Sequence, residues 1–298
     1  MKVQVLMSSY NGEKYIREQI ESILNQRDVE VSILIRDDGS EDSTRKILGE
    51  MNDSRIACAY EENIGVKKSF LKLIAMSDPD ADYYAFSDQD DIWLEDKLST
   101  AVKFLSREDQ TVPLVYGSSV SLYMNGEVIG EQFICSQLNL GNFLIKNYYP
   151  GCTMVFNKKL AELINMVDIN VLKPNPLHDH WLNLVCTACG GKVLIDTKPH
   201  ILYRQHEGNV IGDRSLFQKI KGNGLLTHSE NTRFKICEEL HELYGAYEDN
   251  HSSVQISTIL NYKKGFMNRL RLAFSKEIKP TSATEKIAII LIAAMGKF

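Results

Sequence analysis

Four short β-rich runs, Val3 to Met7, Val29 to Arg36, Arg55 to Tyr60 and Tyr83 to Phe86, alternate with helix-patterned stretches, and each run stops at a polar loop. Between the first two, Lys14 to Gln26 sets Tyr15, Ile16, Ile20, Ile23 and Leu24 on one helical face. Further helices are expected from about Ser43 and over about Lys67 to Met76. A helix between two strands carries the chain back along the sheet, so the next strand runs in the same direction as the last. The order predicts a parallel sheet with right-handed crossovers. Open α/β sheets bind their ligands beyond the carboxyl ends of the strands. The loops Ser8 to Gly12, Asp37 to Ser40, Glu62 to Gly65 and Ser87 to Trp93 are therefore expected together on one edge.

The last of these loops carries the most chemistry. Ser87-Asp88-Gln89-Asp90-Asp91-Ile92-Trp93 sets three carboxylates within four residues directly after the apolar run Tyr83-Tyr84-Ala85-Phe86. Carboxylates this close raise one another's pKa, and a fold keeps them together when a cation or water neutralises the repulsion. A bound metal is the economical explanation; a solvated turn capping a helix that starts near Ile92 is the alternative. In the second loop, Asp38 can accept hydrogen bonds from a ribose hydroxyl pair or a pyrimidine N–H, and Gly39 lets the backbone come close. Asp37-Asp38-Gly39-Ser40 also serves as an ordinary turn and helix cap.

The second half is patterned differently. Leu114 to Tyr123 and Val128-Ile129 flank Asn125-Gly126, a strong hairpin signal. Tyr149-Pro150-Gly151-Cys152 leads into a strand over Thr153 to Phe156, and a helix follows over about Lys159 to Met166. Leu177-His178-Asp179-His180-Trp181 opens an apolar helix to about Ala188; Lys192 to Asp196 and His200 to Tyr203 read as strands leading into Arg204-Gln205-His206. Beyond about Arg214 the pattern is helical. The chain thus divides into an α/β unit over 1–212 and a helical extension over 213–298. At 298 residues it can bury a substantial core, and a net charge of −5 argues against a general nucleic-acid binder. The start, Met1 to Met7, lacks a signal-peptide apolar region, so a cytoplasmic location is expected. Six scattered cysteines suit a reduced compartment. Cys186 and Cys189 have CxxC spacing, but zinc needs two more ligands, and buried positions on a helix are the plainer reading.

Taken together, Ser9-Tyr10-Asn11-Gly12, Asp37-Asp38-Gly39-Ser40, Asn63-Ile64-Gly65 and Ser87-Asp88-Gln89-Asp90-Asp91-Ile92-Trp93 resemble the motif series of the family 2 glycosyltransferases, enzymes of the GT-A fold. That fold is a Rossmann-like, mostly parallel sheet flanked by helices. The resemblance covers roughly residues 1–212, and the later His-Asp and Tyr-Arg-Gln-His elements look most like a bacterial polysaccharide branch that includes rhamnosyltransferases. It implies an inverting transfer of a sugar from a nucleotide-diphospho-sugar. Asp88 and Asp90 match the DxD element, implying a divalent cation, Mg²⁺ or Mn²⁺, with Asp90 in direct ligation, Asp88 toward the ribose and Asp91 in support. His206 matches a position that reaches the diphosphate or metal in some relatives. Asp179 matches the catalytic base, which takes the acceptor's proton. Ser9, Tyr10, Asn11, Asp38, Asn63 and Gly65 belong to the nucleotide-sugar loops, and Lys67 and Arg204 are cations within reach of phosphates by sequence position. Lys97 offsets the charge of the acids. Trp181 is a stacking platform for an acceptor sugar or a core residue, and the loop at Pro150 supports an acceptor pocket.

The implied donor is dTDP-rhamnose or a UDP-hexose, and the implied acceptor a glycan or lipid-linked oligosaccharide of O-antigen, capsule or cell-wall assembly; transfer to protein is also open. Two other readings compete: a nucleotidyltransferase, which would usually show an Arg- and Lys-bearing phosphate loop after its first strand, and a non-catalytic sugar-nucleotide-binding subunit, which would be favoured by loss of Asp90 or Asp179. In the tail, 261–279 interleaves Lys263, Lys264, Arg269, Arg271, Lys276 and Lys279 with Phe266, Met267, Leu270, Leu272 and Phe274, and nine apolar residues run from Ile287 to Met295. Nine are too few to span a bilayer. The segment 261–295 reads as a peripheral contact with the inner face of the plasma membrane, or as a cap on the catalytic unit or a dimer contact.

Overall fold

The computed structural model describes residues 1–134, 137–173, 176–206, 232–278, 280–281 and 283–298, without the side chains of 283 and 284. The four expected strands are β1 (Lys2–Ser9), β2 (Glu30–Asp38), β3 (Ile56–Glu61) and β4 (Tyr83–Ser87), joined by α1 (Ile16–Leu24), α2 (Thr44–Glu50) and α3 (Val66–Ala75). They pair in parallel in the order β3-β2-β1-β4. The register sets Ser9 beside Asp37 and Met7 beside Ser87, so the loops after β1, β2 and β4 leave the sheet at one level.

Beyond β4 the sheet changes character. β5 (Ile92–Trp93) is followed by α4 (Lys97–Leu105) and then by the hairpin β6 (Leu114–Met124) and β7 (Glu127–Gln132). Its turn residues Asn125 and Gly126 both have positive φ, 53° and 90°, the geometry that matches the twist of paired strands. After the short α5 (Leu140–Phe143) come β8 (Val155–Asn157), α6 (Lys158–Asn165), α7 (His178–Ala188) and β9 (Lys192–Arg204). The complete order is β3-β2-β1-β4-β8-β6-β9-β5, with β7 on β6. β8 is antiparallel to β4 and β6, and β9 is parallel to β6.

Two local expectations change. No helix starts near Ile92: Ile92 and Trp93 pair with Leu202 and Ile201 of β9, and the helix begins at Lys97. The acidic loop is thus held between two strands and caps nothing. Lys192 to Tyr203 is one strand, its register shifting opposite Ser118 and Ser119 where Pro199 interrupts the ladder.

Side chains alternate across the sheet. Val5, Met7, Ile33, Ile35 and Ala85 pack with Ile16, Ile20 and Ile23 of α1 and Leu98 of α4. Leu6, Leu34, Tyr84 and Phe86 pack on the other face with α3, α6 and α7. Each fully buried aliphatic contributes roughly 1.5–3 kcal/mol. The latter layer extends into α8 (Thr232–Tyr244), α9 (Asn250–Asn261), α10 (Phe266–Ala273) and α11 (Ala283–Ala294), which supply Leu240, Ile256, Leu272, Ile289 and Ile292 to the same core. The boundary expected near residue 212, and the onset of helix near Arg214, lie outside the described residues. Trp181 is wholly buried, edge-on to Tyr244, and is a core residue. Cys186 is buried and Cys189 half-buried, and both are free thiols.

Candidate active site

At the carboxyl edge of β1, β2 and β4 a cleft of about 360 Å³ is lined by Tyr10, Asp38, Asn63, Gly65, Asp88 and Asp90 together with Pro150, His178, Asp179 and Tyr203. The loops after the four parallel strands are tied to one another. Asp38 is buried; it is ion-paired with Arg36 and accepts from the backbone N–H of Ile64 at 2.8 Å and of Gly65 at 3.0 Å. A Cβ at Gly39 (φ +84°) would lie 2.9 Å from the Asn63 nitrogen, so only glycine lets these loops meet. Asn11 donates its N–H to Ser40 Oγ at 2.9 Å and its Oδ1 accepts from Glu41 N at 2.9 Å. Ser9 is buried beneath, next to Asp37 in the register. Tyr10 is half exposed at the cleft mouth, while its backbone is clamped by Gln89: Tyr10 N donates to Oε1 at 2.8 Å and Nε2 donates to Tyr10 O at 3.0 Å.

The acids crowd the floor. Burial, then the charges of Asp91, Asp90 and Asp179, push Asp88 well above the usual carboxylate range. Burial and then Asp90 raise Asp91 to about 7. Asp90 Oδ2 lies 2.8 Å from His206 Nε2, and Arg204 Nε donates to the Asp90 carbonyl at 2.7 Å while its guanidinium stacks on Tyr15. Asp88, Asp91 and Cys152 bring ligand-type atoms within 4.8 Å of one another, and Asp91 Oδ2 is buried without a hydrogen-bond partner. An orphaned carboxylate oxygen amid mutually repelling acids fits a hard divalent cation held by oxygen; the cluster consists of Asp88, Asp91 and Cys152, whereas Asp90, expected in direct ligation, is paired with His206.

Asp179, which lines the same cleft, sits in the first turn of α7 and is 4% exposed. Burial raises its carboxyl to about 6, against hydrogen bonds that lower it. Oδ1 accepts from His180 N and Oδ2 from Asn147 Nδ2, both at 2.8 Å. Asn147 Oδ1 accepts in turn from Asn183 at 3.2 Å, and Tyr149 donates its hydroxyl to Asn183 Oδ1 at 2.5 Å. Gly151 allows this packing, since a Cβ there would meet His178 Nε2 at 2.9 Å and Asp179 Cβ at 3.0 Å. His178 is buried flat against Phe70, ring centroids 3.9 Å apart, and burial lowers it to about 3, so its imidazole is neutral. A second cleft of about 370 Å³ shares Pro150, Asp179 and Tyr203 with the first and continues past Lys146, Asn147 and Tyr149 to Thr281.

Of the cations considered for phosphate contact, Arg204 lies beside Asp90 as described, whereas Lys67 points inward. Its ammonium donates to the Lys173 carbonyl at 2.6 Å over the Trp181 ring, and burial lowers it to about 8. Arg36 is enclosed by Asp38, Glu61, Ser69 and Glu62. Lys97 is buried against the Trp93 ring at 3.3 Å, and the charges of Cys152 and Asp91 oppose the lowering of its pKa to about 7 that burial causes. Sequence reasoning missed Gln89, Asn147 and Asn183. Asn183 had a signal, a polar residue one turn after Asp179 in an apolar helix; Asn147 had none.

A parallel sheet edge with an aspartate at the end of β2, a DxD loop after β4 and an aspartate from a later helix in the same cleft defines a sugar-transfer enzyme of the GT-A fold. The chain belongs to glycosyl transferase family 2, whose sequence profile matches residues 4–164, more than half of its length. It is 32% identical over 304 aligned positions to the dTDP-rhamnosyl transferase RfbG of Shigella flexneri, spanning 98% of this chain and 100% of that protein. It is 31% identical over 163 positions to WfgD of Escherichia coli, a UDP-Glc:alpha-D-GlcNAc-diphosphoundecaprenol beta-1,3-glucosyltransferase, spanning 53% of this chain and 61% of that one. The S. aureus TarS structure in complex with UDP-GlcNAc superposes with a TM-score of 0.60 over 98% of this chain and 79% of TarS. At 15% identity that likeness concerns the fold.

Proposed function

We propose that this glycosyltransferase moves a deoxyhexose, in the first instance rhamnose from dTDP-rhamnose, onto a hydroxyl of a glycan or lipid-linked oligosaccharide, with inversion at the anomeric carbon. A UDP-hexose is the second donor candidate. The observation that carries the reading is that Asp179 lines the same cleft as Asp88 and Asp90. The acceptor hydroxyl gives its proton to the Asp179 carboxylate as its oxygen forms the bond to C1; the bond from C1 to the diphosphate oxygen breaks, and the diphosphate leaves with the electron pair. One carboxylate suffices, whereas a retaining glycosidase needs a second as nucleophile. With a carboxyl near 6, Asp179 is ionised at neutral pH yet basic enough to take a proton in the transition state. Asn147 and the His180 N–H hold both of its oxygens in place.

Asp90, Asp88 and His206 would hold Mg²⁺ or Mn²⁺, which would supply positive charge against the leaving diphosphate. Asp38, Asn63 and Gly65 would meet the nucleoside, with Tyr10 over it and Ser9 and Asn11 fixing the loop. The second cleft, from Asp179 to Thr281, would take the acceptor. In this reading the α/β unit ends near residue 212, and the helical extension completes the acceptor side through Thr281. The reaction would take place in the cytoplasm, in cell-surface polysaccharide assembly.

The reading is tested by thermal unfolding of the purified protein with dTDP-rhamnose, UDP-glucose and other nucleotide-sugars, with Mn²⁺, Mg²⁺ or chelator, on wild type and Asp90→Ala. Ligand at about 100 times its dissociation constant adds about 2.7 kcal/mol. A metal-dependent shift with one nucleotide class, absent in Asp90→Ala, is expected. No metal-dependent shift with any donor would leave a non-catalytic subunit as the better account.

A further inference from the structure

The outer face of the last two helices is not explained by sugar transfer. After its first turn α11 is apolar on every side, its sequence from Ile287 to Met295 containing no polar residue. A helix of that kind belongs in an apolar environment on every side. One side has it: Ala288, Ile289, Ile292 and Ala293 are buried in the core, and Glu285 pins the helix to the catalytic unit through Lys146 at 2.5 Å. The other side does not. Ile287, Leu291 and Met295, one turn apart along a single stripe, are 61%, 53% and 56% exposed. On α10, which packs against α11, Phe266, Met267 and the following Phe274 are 66%, 74% and 66% exposed.

These apolar groups lie among cations. Residues 262–298 hold eight lysines and arginines against two acids, in a chain whose net charge is −5, so the body of the protein is strongly acidic and this end strongly basic. Lys264, Arg271, Lys276 and Lys286 are exposed, while the acid Glu285 is buried in its pair with Lys146. Among the described residues no helix is long and apolar enough to cross a membrane.

We propose that α10 and α11 form a docking face for an anionic lipid surface, with the Phe266-Met267-Phe274 and Ile287-Leu291-Met295 stripes seated among the acyl chains and the surrounding cations on the headgroups. Apolar residues edged by lysine and arginine match that boundary. A second copy of the chain fits less well, because a two-fold interface through this face would set two like-charged surfaces together. Thr281, in the turn before α11, also borders the cleft that contains Asp179, so the docked face and that cleft share an edge. The inference rests on the surface of the extension and holds whatever donor the cleft takes.

The test is co-sedimentation of the full chain with vesicles of phosphatidylcholine mixed with phosphatidylglycerol, compared with phosphatidylcholine alone. Binding to the mixed vesicles only, weakening as salt rises, is expected. Phe266→Asp combined with Leu291→Asp should abolish it. Lys264→Gln and Arg271→Gln should each lower the partition coefficient about fivefold. All four side chains leave the core untouched, so an unchanged unfolding midpoint shows that the variants are folded. Equal binding to both vesicle types, or binding to neither, would overturn the proposal. A dimer in solution that the double Asp variant dissociates, with no vesicle binding, would assign the face to a second copy instead.

Discussion

The two groups of residues around the cleft are built in opposite ways. The group that the proposal gives to the donor comes from loops that follow four parallel strands in chain order, each loop delivering its residue at the end of its own strand. The group that it gives to the acceptor is assembled from distant pieces: Asn147 and Tyr149 from one loop, and Asp179 and Asn183 from α7. A group made by repetition is robust in position and poor in shape; a group made by convergence can be shaped to one acceptor. On the proposed reading the donor group concerns nucleotide affinity, and the acceptor group concerns turnover and regiochemistry.

That division is broken or sharpened by substitution. The largest effect is expected from Asp179→Asn. Turnover should fall by about a thousandfold, within the usual range for loss of a general base, while donor affinity stays within about twofold. The same change should raise stability. Because the folded-state pKa of Asp179, near 6, lies above the ordinary 3.8, its contribution to stability is present at low pH and is lost as pH rises through 6. Removing the buried charge should thus stabilise the protein by about 2 kcal/mol at about pH 8 and not at about pH 4, as read by denaturant unfolding.

Next is Asp90→Ala or chelation of the metal, which should weaken nucleotide-diphospho-sugar binding roughly 100-fold by calorimetry, through loss of charge neutralisation on the diphosphate. Asn147→Ala is expected to be milder, about tenfold in kcat with donor affinity unchanged. It carries a second signature: losing a donor to the carboxylate raises the Asp179 pKa, so the acid limb of the pH–rate profile should move above pH 6. The smallest effect is expected from Gln89→Ala, which removes both hydrogen bonds to the Tyr10 backbone. It should raise donor KM several-fold, with a stability loss of about 1 kcal/mol.

The same contrast explains what could be read from the sequence. The parallel half was legible because each strand, loop and helix is local, with apolar periodicity marking the strands and glycine or aspartate marking the loop ends. The position of Asp179 at the start of α7 was legible for the same reason. Ile92-Trp93 was not, since two residues become a strand only when β9 arrives to pair with them. Pro199 split β9 in the pattern, although the ladder to β6 absorbs the interruption by a shift of register. Asn147 was invisible, as its role exists only where a loop meets a helix 32 residues later. Lys67 looked available because it follows the loop Asn63-Ile64-Gly65 closely in sequence, yet α3 turns it into the core toward Lys173.

The most direct measurement is a paired one on Asp179→Asn: calorimetric titration with the donor's nucleoside diphosphate and Mn²⁺, and single-turnover transfer from the intact donor. The account predicts nucleotide binding within about twofold of wild type together with a roughly thousandfold loss of transfer. Loss of nucleotide binding, or transfer at the wild-type rate, would contradict the assignment of Asp179 as the base in the acceptor group.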